Sequence, residues 1–175
     1  MKILVTGANG QLGQDLMRVI TTAGDEAVGI DIDTVDITSR ETVHDALVTI
    51  HPDAVINCAA FTAVDACEDN ADTAMLVNGT AVRWVAEASD AVGAHLVHVS
   101  TDYVFDGTKI GPYVETDTPN PQSVYGRTKL AGEHEALVNG SGVAVVRTSW
   151  VCGFYGNNMV KTVHKFAQER DSLSF

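Results

Sequence analysis

The sequence has 175 residues, of which 45% are hydrophobic, so it can bury one substantial core and has no room for a second complete domain. Acidic residues outnumber basic ones 23 to 11, and the formal charge of -12 would repel nucleic acid backbones and anionic lipid surfaces alike. No apolar run approaches the roughly 18 residues of a membrane span.

Five short apolar runs alternate with longer stretches of helical pattern along the chain. The runs predict buried strands at residues 3–6, 27–30, 54–57, 95–100 and 143–147. Apolar residues at helical spacing predict helices at residues 11–23, 39–50, 71–92 and 158–169. Because strands that alternate with helices form a parallel sheet covered on both faces, we predict an α/β, doubly wound Rossmann fold over residues 1–175. Residues 172–175 are typical of the start of another strand.

Three glycines lie where the first predicted strand meets the first helix, in the segment KILVTGANGQLGQDL. Gly7, Gly10 and Gly13 have no Cβ atoms, so the backbone can turn tightly and approach a pyrophosphate closely. The N–H groups and the positive end of the following helix attract the phosphate charge. A glycine triplet is also common in turns that bind nothing, but this one follows a strand and opens a helix, which predicts a dinucleotide site.

Acidic residues follow the second predicted strand. Asp31 stands near the position where a carboxylate accepts hydrogen bonds from the adenosine ribose, which favours NADH over NADPH. If the carboxylate of Asp31 or Asp33 only stabilises a turn, NADPH is still an alternative cofactor. Four further cofactor contacts are predicted: Asp36 and Ile37 beside the adenine, and the small residues Ala59 and Ala60 where the backbone would be exposed against the cofactor.

Reduction of a carbonyl by a nicotinamide needs a proton donor beside the cofactor, and the segment SVYGRTKLAGE offers one. Tyr125 and Lys129 are four residues apart on a predicted helix, so their side chains lie on one face. We predict that the Lys129 ammonium lowers the pKa of the Tyr125 phenol, and that its other N–H donors reach the nicotinamide ribose. In isolation the two residues would be an ordinary surface pair.

The end of the fourth predicted strand changes that interpretation. The segment HVSTDYVF places Ser100, Thr101 and Asp102 at the carboxyl edge of the sheet, where such folds bind ligands. Thr101 is the candidate for hydrogen bonding to the substrate oxygen, with Ser100 turned toward the cofactor or the core. The proline-rich loop at residues 106–123 follows, and long loops in compact domains are commonly functional.

The cysteines Cys58, Cys67 and Cys152 are widely spaced and are predicted to be reduced thiols. They form no CxxC pair and are accompanied by no histidine cluster, so no metal site is predicted. The N-terminal segment lacks the long apolar core and the cleavage site of a secretion signal, and the expected compartment is the cytoplasm.

Five segments together resemble those of dTDP-4-dehydrorhamnose reductases, which are extended short-chain dehydrogenase/reductases: TGANGQLG, NCAAFTAVDACE, STDYVFDG, ETDTPNPQSVYGRTKLAGE and VVRTSWVCG. That family reduces the 4-keto group of dTDP-4-dehydro-L-rhamnose to give dTDP-L-rhamnose, with NADPH or NADH. The resemblance implies a catalytic set of Thr101, Tyr125 and Lys129. It further implies pyrophosphate contacts at Gly10, Gln11 and Leu12, and nucleotide-sugar contacts at Thr62, Asp102 and Trp150.

Members of that family continue into a smaller C-terminal lobe that closes over the nucleotide sugar, and the resemblance implies that this lobe is absent here. We therefore expect a truncated chain that binds nucleotide with little or no turnover on its own. The expected partner is a small-molecule nucleotide sugar, and a homodimer stays open.

Two other functions stay open. One is a sugar-nucleotide epimerase or dehydratase, although Tyr103 and not an acidic residue follows Asp102, which disfavours dehydration. The other is a non-catalytic nucleotide-binding module, because the regulatory subunit of methionine adenosyltransferase resembles the same reductases.

Overall fold

The structure, a computed structural model, describes residues 1–170 and 172. Its centre is a parallel sheet of β1 (Lys2–Thr6), β2 (Glu26–Ile30), β3 (Ala54–Asn57), β4 (His95–Thr101) and β5 (Val143–Thr148). The strands lie in the order β2-β1-β3-β4-β5. The five predicted strands and the doubly wound α/β class are confirmed. The strand start predicted at residues 172–175 lies, apart from Ser172, outside the described residues.

Helices connect the strands and flank the sheet. They are α1 (Gln11–Thr22), α2 (Arg40–Ile50), α3 (Val64–Asp69), α4 (Ala71–Met75), α5 (Ala81–Ala91), α6 (Val124–Asn139) and α7 (Met159–Glu169). Ser39, Ser123 and Asn158 cap α2, α6 and α7, because each side chain accepts a hydrogen bond from a backbone N–H of the first turn. Across residues 1–170 and 172, none of the helices combines the length and the apolar character that crossing a bilayer requires.

The helix predicted as continuous at residues 71–92 is interrupted. A π-helical turn, Leu76–Thr80, stands between α4 and α5, and the prediction is wrong on this point. Such turns occur most often as single insertions in α-helices and are frequent at functional sites. A short 3₁₀ turn, Asp102–Val104, follows β4 and was also not predicted.

The hydrophobic core joins the sheet to α2, α5 and α6. Leu4, Val55 and Leu96, from three neighbouring strands, are at most 1% exposed and pack in one cluster with Leu47 of α2 and Val82 of α5. Within the sheet, β2 lies on one side of β1 and β3 lies on the other, so the strand order reverses at β1. In open α/β sheets, ligands bind at the carboxyl ends of the strands where the order reverses, so the fold predicts a binding site at the end of β1.

Candidate active site

The glycine turn after β1 is too tightly packed for side chains. Gly7 has a positive φ of 64°, and a Cβ atom there would lie 2.9 Å from the Cα and N atoms of Ala59. A Cβ on Gly13 would collide with the backbone of Gly7 and lie 2.7 Å from the Cα of Ala8. Gly10 is the N-cap of α1 and makes no side-chain cap, so backbone N–H groups of the first helical turn can bind a ligand.

Backbone amides orient the Asp31 carboxylate, which directly follows β2. The Asp31 carboxylate accepts hydrogen bonds from the N–H groups of Asn9 and Ile32, both at 2.8 Å. Each oxygen keeps a free lone pair, because a carboxylate can accept about four hydrogen bonds. The Asp36 carboxylate accepts bonds from the backbone N–H and the hydroxyl of Thr38, which lower the pKa of Asp36. Asp31 is therefore oriented and still able to bind hydroxyl groups.

The residues predicted to bind cofactor or substrate, or to act in catalysis, line one cleft of about 780 Å³. They are Gly7, Gly10, Gln11, Leu12, Gly13, Asp31, Asp36, Ile37, Ala59, Ala60, Thr62, Thr101, Asp102, Tyr125, Lys129 and Trp150. The structure brings all of them together, and their individual roles stay predictions. The volume lies within the range of about 300–1,000 Å³ that is usual for small-molecule sites.

Lys129 lies at the buried floor of this cleft. Its residue exposure is 2%, and its Nζ atom donates a hydrogen bond to the Val99 carbonyl oxygen at 2.7 Å. Burial lowers the pKa of Lys129 to about 8, and the attraction of the Glu133 carboxylate opposes this fall. Since an ammonium has three N–H donors, two can still face the cleft.

The prediction that Lys129 lowers the pKa of Tyr125 is wrong for this cleft. Burial is the main effect on the phenol and raises its pKa, and the carboxylate of Asp102 acts in the same direction. The hydroxyl of Thr101 opposes this rise. Tyr125 therefore carries its proton throughout the neutral range, as a proton donor requires.

Thr101 and Asp102 are joined to each other at the end of β4. The Thr101 hydroxyl donates to the Asp102 carboxylate at 3.1 Å and accepts a bond from the Tyr103 N–H at 3.2 Å. The ring of Tyr103 stands edge-on to that of Tyr125, with centroids 5.6 Å apart.

Trp150, just after β5, has a positive φ of 53° and is 72% exposed. Its indole is thus free to stack on a ligand at the rim of the cleft.

Asn78, in the π-helical turn, is a buried anchor that is not among the predicted residues. Its side chain accepts a bond from the Phe61 N–H at 2.8 Å and donates to the Phe61 carbonyl oxygen at 3.0 Å. Its amide nitrogen also bonds to the Thr128 hydroxyl of α6 at 3.2 Å. Asn78 therefore ties the cleft-lining segment after β3 to the helix that carries Tyr125 and Lys129. Asn78 and Gly79, both weak helix formers, are the available sequence signal.

We expect Asn78→Ala to lower the free energy of unfolding by about 2–3 kcal/mol, because it leaves the Phe61 N–H without its partner and removes the bonds to the Phe61 carbonyl oxygen and the Thr128 hydroxyl. Urea denaturation would measure the loss. Asn70→Ala is the matched control, since the Asn70 side chain makes one exposed bond to the Ala66 carbonyl. Equal losses in the two variants would contradict the anchoring role.

The loop at residues 106–123 is folded around one carboxylate. Asp106 accepts hydrogen bonds from the N–H and hydroxyl of Thr108 and from the side chains of Tyr113 and Asn120, at 2.8 to 3.0 Å. These bonds hold the pKa of Asp106 well below its usual range. The Asn120 N–H binds the Val104 carbonyl, so the loop also fixes the 3₁₀ turn beside Thr101. The DGT segment, typical of a side-chain-stabilised turn, could have indicated this.

The residues present fit a nicotinamide dinucleotide. The cleft passes from Asp31 after β2, over the glycine turn after β1, to Thr101 at the end of β4. The glycine turn leaves the backbone open where a Cβ would block it, and Lys129 keeps donors for a ribose at the other end. Within residues 1–170 and 172, no group of three or more His, Cys, Asp or Glu side chains is arranged to hold a metal ion.

Comparisons with known proteins agree with this geometry. The family model of the RmlD substrate binding domain matches residues 1–175. The chain is 44% identical over 173 residues to the dTDP-4-dehydrorhamnose reductase of Burkholderia thailandensis, which covers 99% of this chain and 58% of that protein.

Two solved structures are similar along almost the whole chain. The dTDP-4-dehydrorhamnose reductase of Clostridium acetobutylicum matches with a TM-score of 0.95 and 43% identity, over 99% of this chain and 61% of that one. The Bacillus anthracis dTDP-4-dehydrorhamnose reductase, in complex with NADP, matches with a TM-score of 0.93 and 41% identity, over 97% and 61%. The resemblance in the five sequence segments is confirmed. The chain spans about three fifths of the length of the curated relatives it matches.

Proposed function

The chain belongs to the RmlD substrate binding domain family, and from this membership we propose that it supplies the cofactor cleft and the catalytic side chains of an NAD(P)H-dependent dTDP-4-dehydrorhamnose reductase. The reaction is reduction of the 4-keto group of dTDP-4-dehydro-L-rhamnose to a hydroxyl. The observation that carries the proposal is the meeting of Tyr125, Lys129 and Thr101 with the glycine turn in one cleft. The similar reductases support the choice of sugar.

A bound reduced nicotinamide supplies the hydride for the carbonyl carbon. Tyr125 gives its phenolic proton to the carbonyl oxygen, so the ketone becomes a hydroxyl and the phenolate is later reprotonated from water. The Thr101 hydroxyl, which donates to the Asp102 carboxylate in the structure, turns to donate its hydrogen bond to the same oxygen and orients it. Lys129 binds the nicotinamide ribose through its remaining N–H donors. Trp150, Thr62 and Asp102 are proposed contacts of the nucleotide sugar.

The direct test is the loss of NADPH or NADH absorbance when the full protein is mixed with dTDP-4-dehydro-L-rhamnose. Stoichiometric consumption of reduced cofactor and appearance of dTDP-L-rhamnose are expected. An epimerase or dehydratase would instead retain oxidised cofactor and consume none. A regulatory module would co-purify with a synthetase and turn over no keto sugar. Either outcome would overturn the reductase proposal.

The cytoplasmic location and the homodimer stay predictions.

Asp31 is proposed to favour NADH over NADPH. Lys129 is the only Lys or Arg that lines the described cleft, so no cation faces a 2′-phosphate at the Asp31 end. We expect Asp31→Ser to shift the ratio of the NADH and NADPH dissociation constants toward NADPH by roughly tenfold or more, because a charge-assisted hydrogen bond is lost. Fluorescence titration with each nucleotide measures it. Asp33→Ser is the control; an equal shift there would move the role to Asp33.

A further inference from the structure

A row of three charged side chains runs from the floor of the cleft to β5, the strand at the edge of the sheet. Lys129 and Glu133 lie one turn apart on the same face of α6, and each residue is 2% exposed. Arg147 of β5 binds the Glu133 carboxylate with both prongs of its guanidinium, through Nε at 2.9 Å and Nη2 at 2.6 Å. Positive, negative and positive charges thus follow one another.

The Glu133 carboxylate accepts three hydrogen bonds from two strands. Besides the two bonds from Arg147, it accepts a bond from the Ser100 hydroxyl of β4 at 2.5 Å. Ser100 directly precedes Thr101, the proposed partner of the substrate oxygen. A buried carboxylate is strongly destabilising unless it is paired and hydrogen-bonded, and here both conditions are met. Glu133 therefore has one fixed position relative to the catalytic side chains.

The other titratable groups near Lys129 carry no charge at neutral pH. On β4, His98 is fully buried, and burial lowers its pKa to about 3. After β3, burial raises the pKa of the Cys58 thiol to about 11. On α6 itself, Tyr125 is a protonated phenol. Among these neighbours, Glu133 is the ionised group that attracts the Lys129 ammonium.

We propose that Glu133 is a positioning residue that acts through Lys129: its carboxylate, fixed by Arg147 and Ser100, keeps the Lys129 side chain charged, while the Val99 carbonyl oxygen holds the Nζ atom. The inference rests on the proposed function and deepens it, since Lys129 is the residue proposed to bind the cofactor ribose. It concerns a residue that contacts neither cofactor nor substrate in the proposed mechanism.

The charge of Glu133 can be removed with little change of shape. Glu133→Gln keeps an acceptor for Ser100 and Arg147 but no longer attracts the ammonium. Because an opposite charge at close range favours the charged form, the pKa of Lys129 is expected to fall by about one unit or more from its value of about 8. Lys129 keeps its proton below its pKa and loses it above, so the variant loses the ammonium at a lower pH.

The test is a pH titration of the Lys129 Cε signal by NMR in protein labelled with ¹³C-lysine, with the signal assigned through Lys129→Met. The midpoint is expected to fall by about one pH unit or more in Glu133→Gln and to return close to the wild-type value in Glu133→Asp. Ser100→Ala is the matched control, since it removes one bond to the same carboxylate and keeps its charge. The pH above which NADH affinity declines should move with the midpoint.

An unchanged midpoint in Glu133→Gln, an equal fall in Ser100→Ala, or a midpoint that moves while the pH dependence of NADH affinity does not, would overturn the inference. If Glu133→Gln fails to fold, the double variant Glu133→Gln/Arg147→Gln leaves no unpaired cation and provides the same comparison. The titration needs no substrate. Absence of keto-sugar reduction in the wild type would therefore refute the proposed function and leave the result on Glu133 standing.

Discussion

Replacing Tyr125 by Phe is expected to lower the kcat for keto-sugar reduction by about 10²–10⁴-fold, while the Kd for the nicotinamide cofactor stays within about twofold. The phenol is the proposed proton donor, and burial keeps it protonated by raising its pKa. Phe fills the same space without the hydroxyl. Steady-state kinetics in the full protein and fluorescence titration of the cofactor measure the two quantities.

Tyr103→Phe is the matched control for this change. Its ring packs edge-on against that of Tyr125, yet Tyr103 is 47% exposed and has no part in the proposed proton transfer. We expect its kcat to stay close to that of the wild type. Equal rates for Tyr125→Phe and the wild type, or equal losses in the two variants, would remove Tyr125 from its proposed role.

The fold was predictable because the strands carry a plain signal. Each is a short apolar run between helical stretches, and the parallel sheet follows from that alternation. The π-helical turn could not be predicted by the same reasoning. Leu76 and Val77 continue the helical pattern, and only the contacts of Asn78 with Phe61 and Thr128 show why the helix widens there. A tertiary contact decided the local structure.

The residues that line the candidate site could be predicted from the sequence, but their pKa values could be predicted less well. Strand ends meet at one edge of a parallel sheet, so residues as distant in sequence as Gly7 and Thr101 could be assigned to one cleft. The depth of Lys129 could not be read from its spacing to Tyr125, and this depth lowers the pKa of the lysine. The inward direction of Glu133 was hidden for the same reason. Burial depends on packing from several elements, which a local pattern does not contain.

Replacing Gly13 by Ala is expected to weaken cofactor binding by roughly tenfold or more, equivalent to about 1.4 kcal/mol. The added methyl group would collide with the backbone at Gly7 and lie 2.7 Å from the Cα of Ala8, so α1 must move away from β1. That movement displaces the helix N-terminus which attracts the pyrophosphate. Overpacking of this kind also costs about 1–3 kcal/mol of stability.

Gly93→Ala separates the loss of binding from the loss of stability. Gly93 has a φ of +71° and no atom within 4 Å of an added Cβ, so the substitution strains only the local backbone. That strain costs about 1–2 kcal/mol, comparable to the cost at Gly13. The cofactor should bind Gly93→Ala as tightly as the wild type and Gly13→Ala much more weakly. If the two variants bound the cofactor with similar affinity, the N-terminus of α1 would not hold the phosphate. The glycine turn would then have only a structural role.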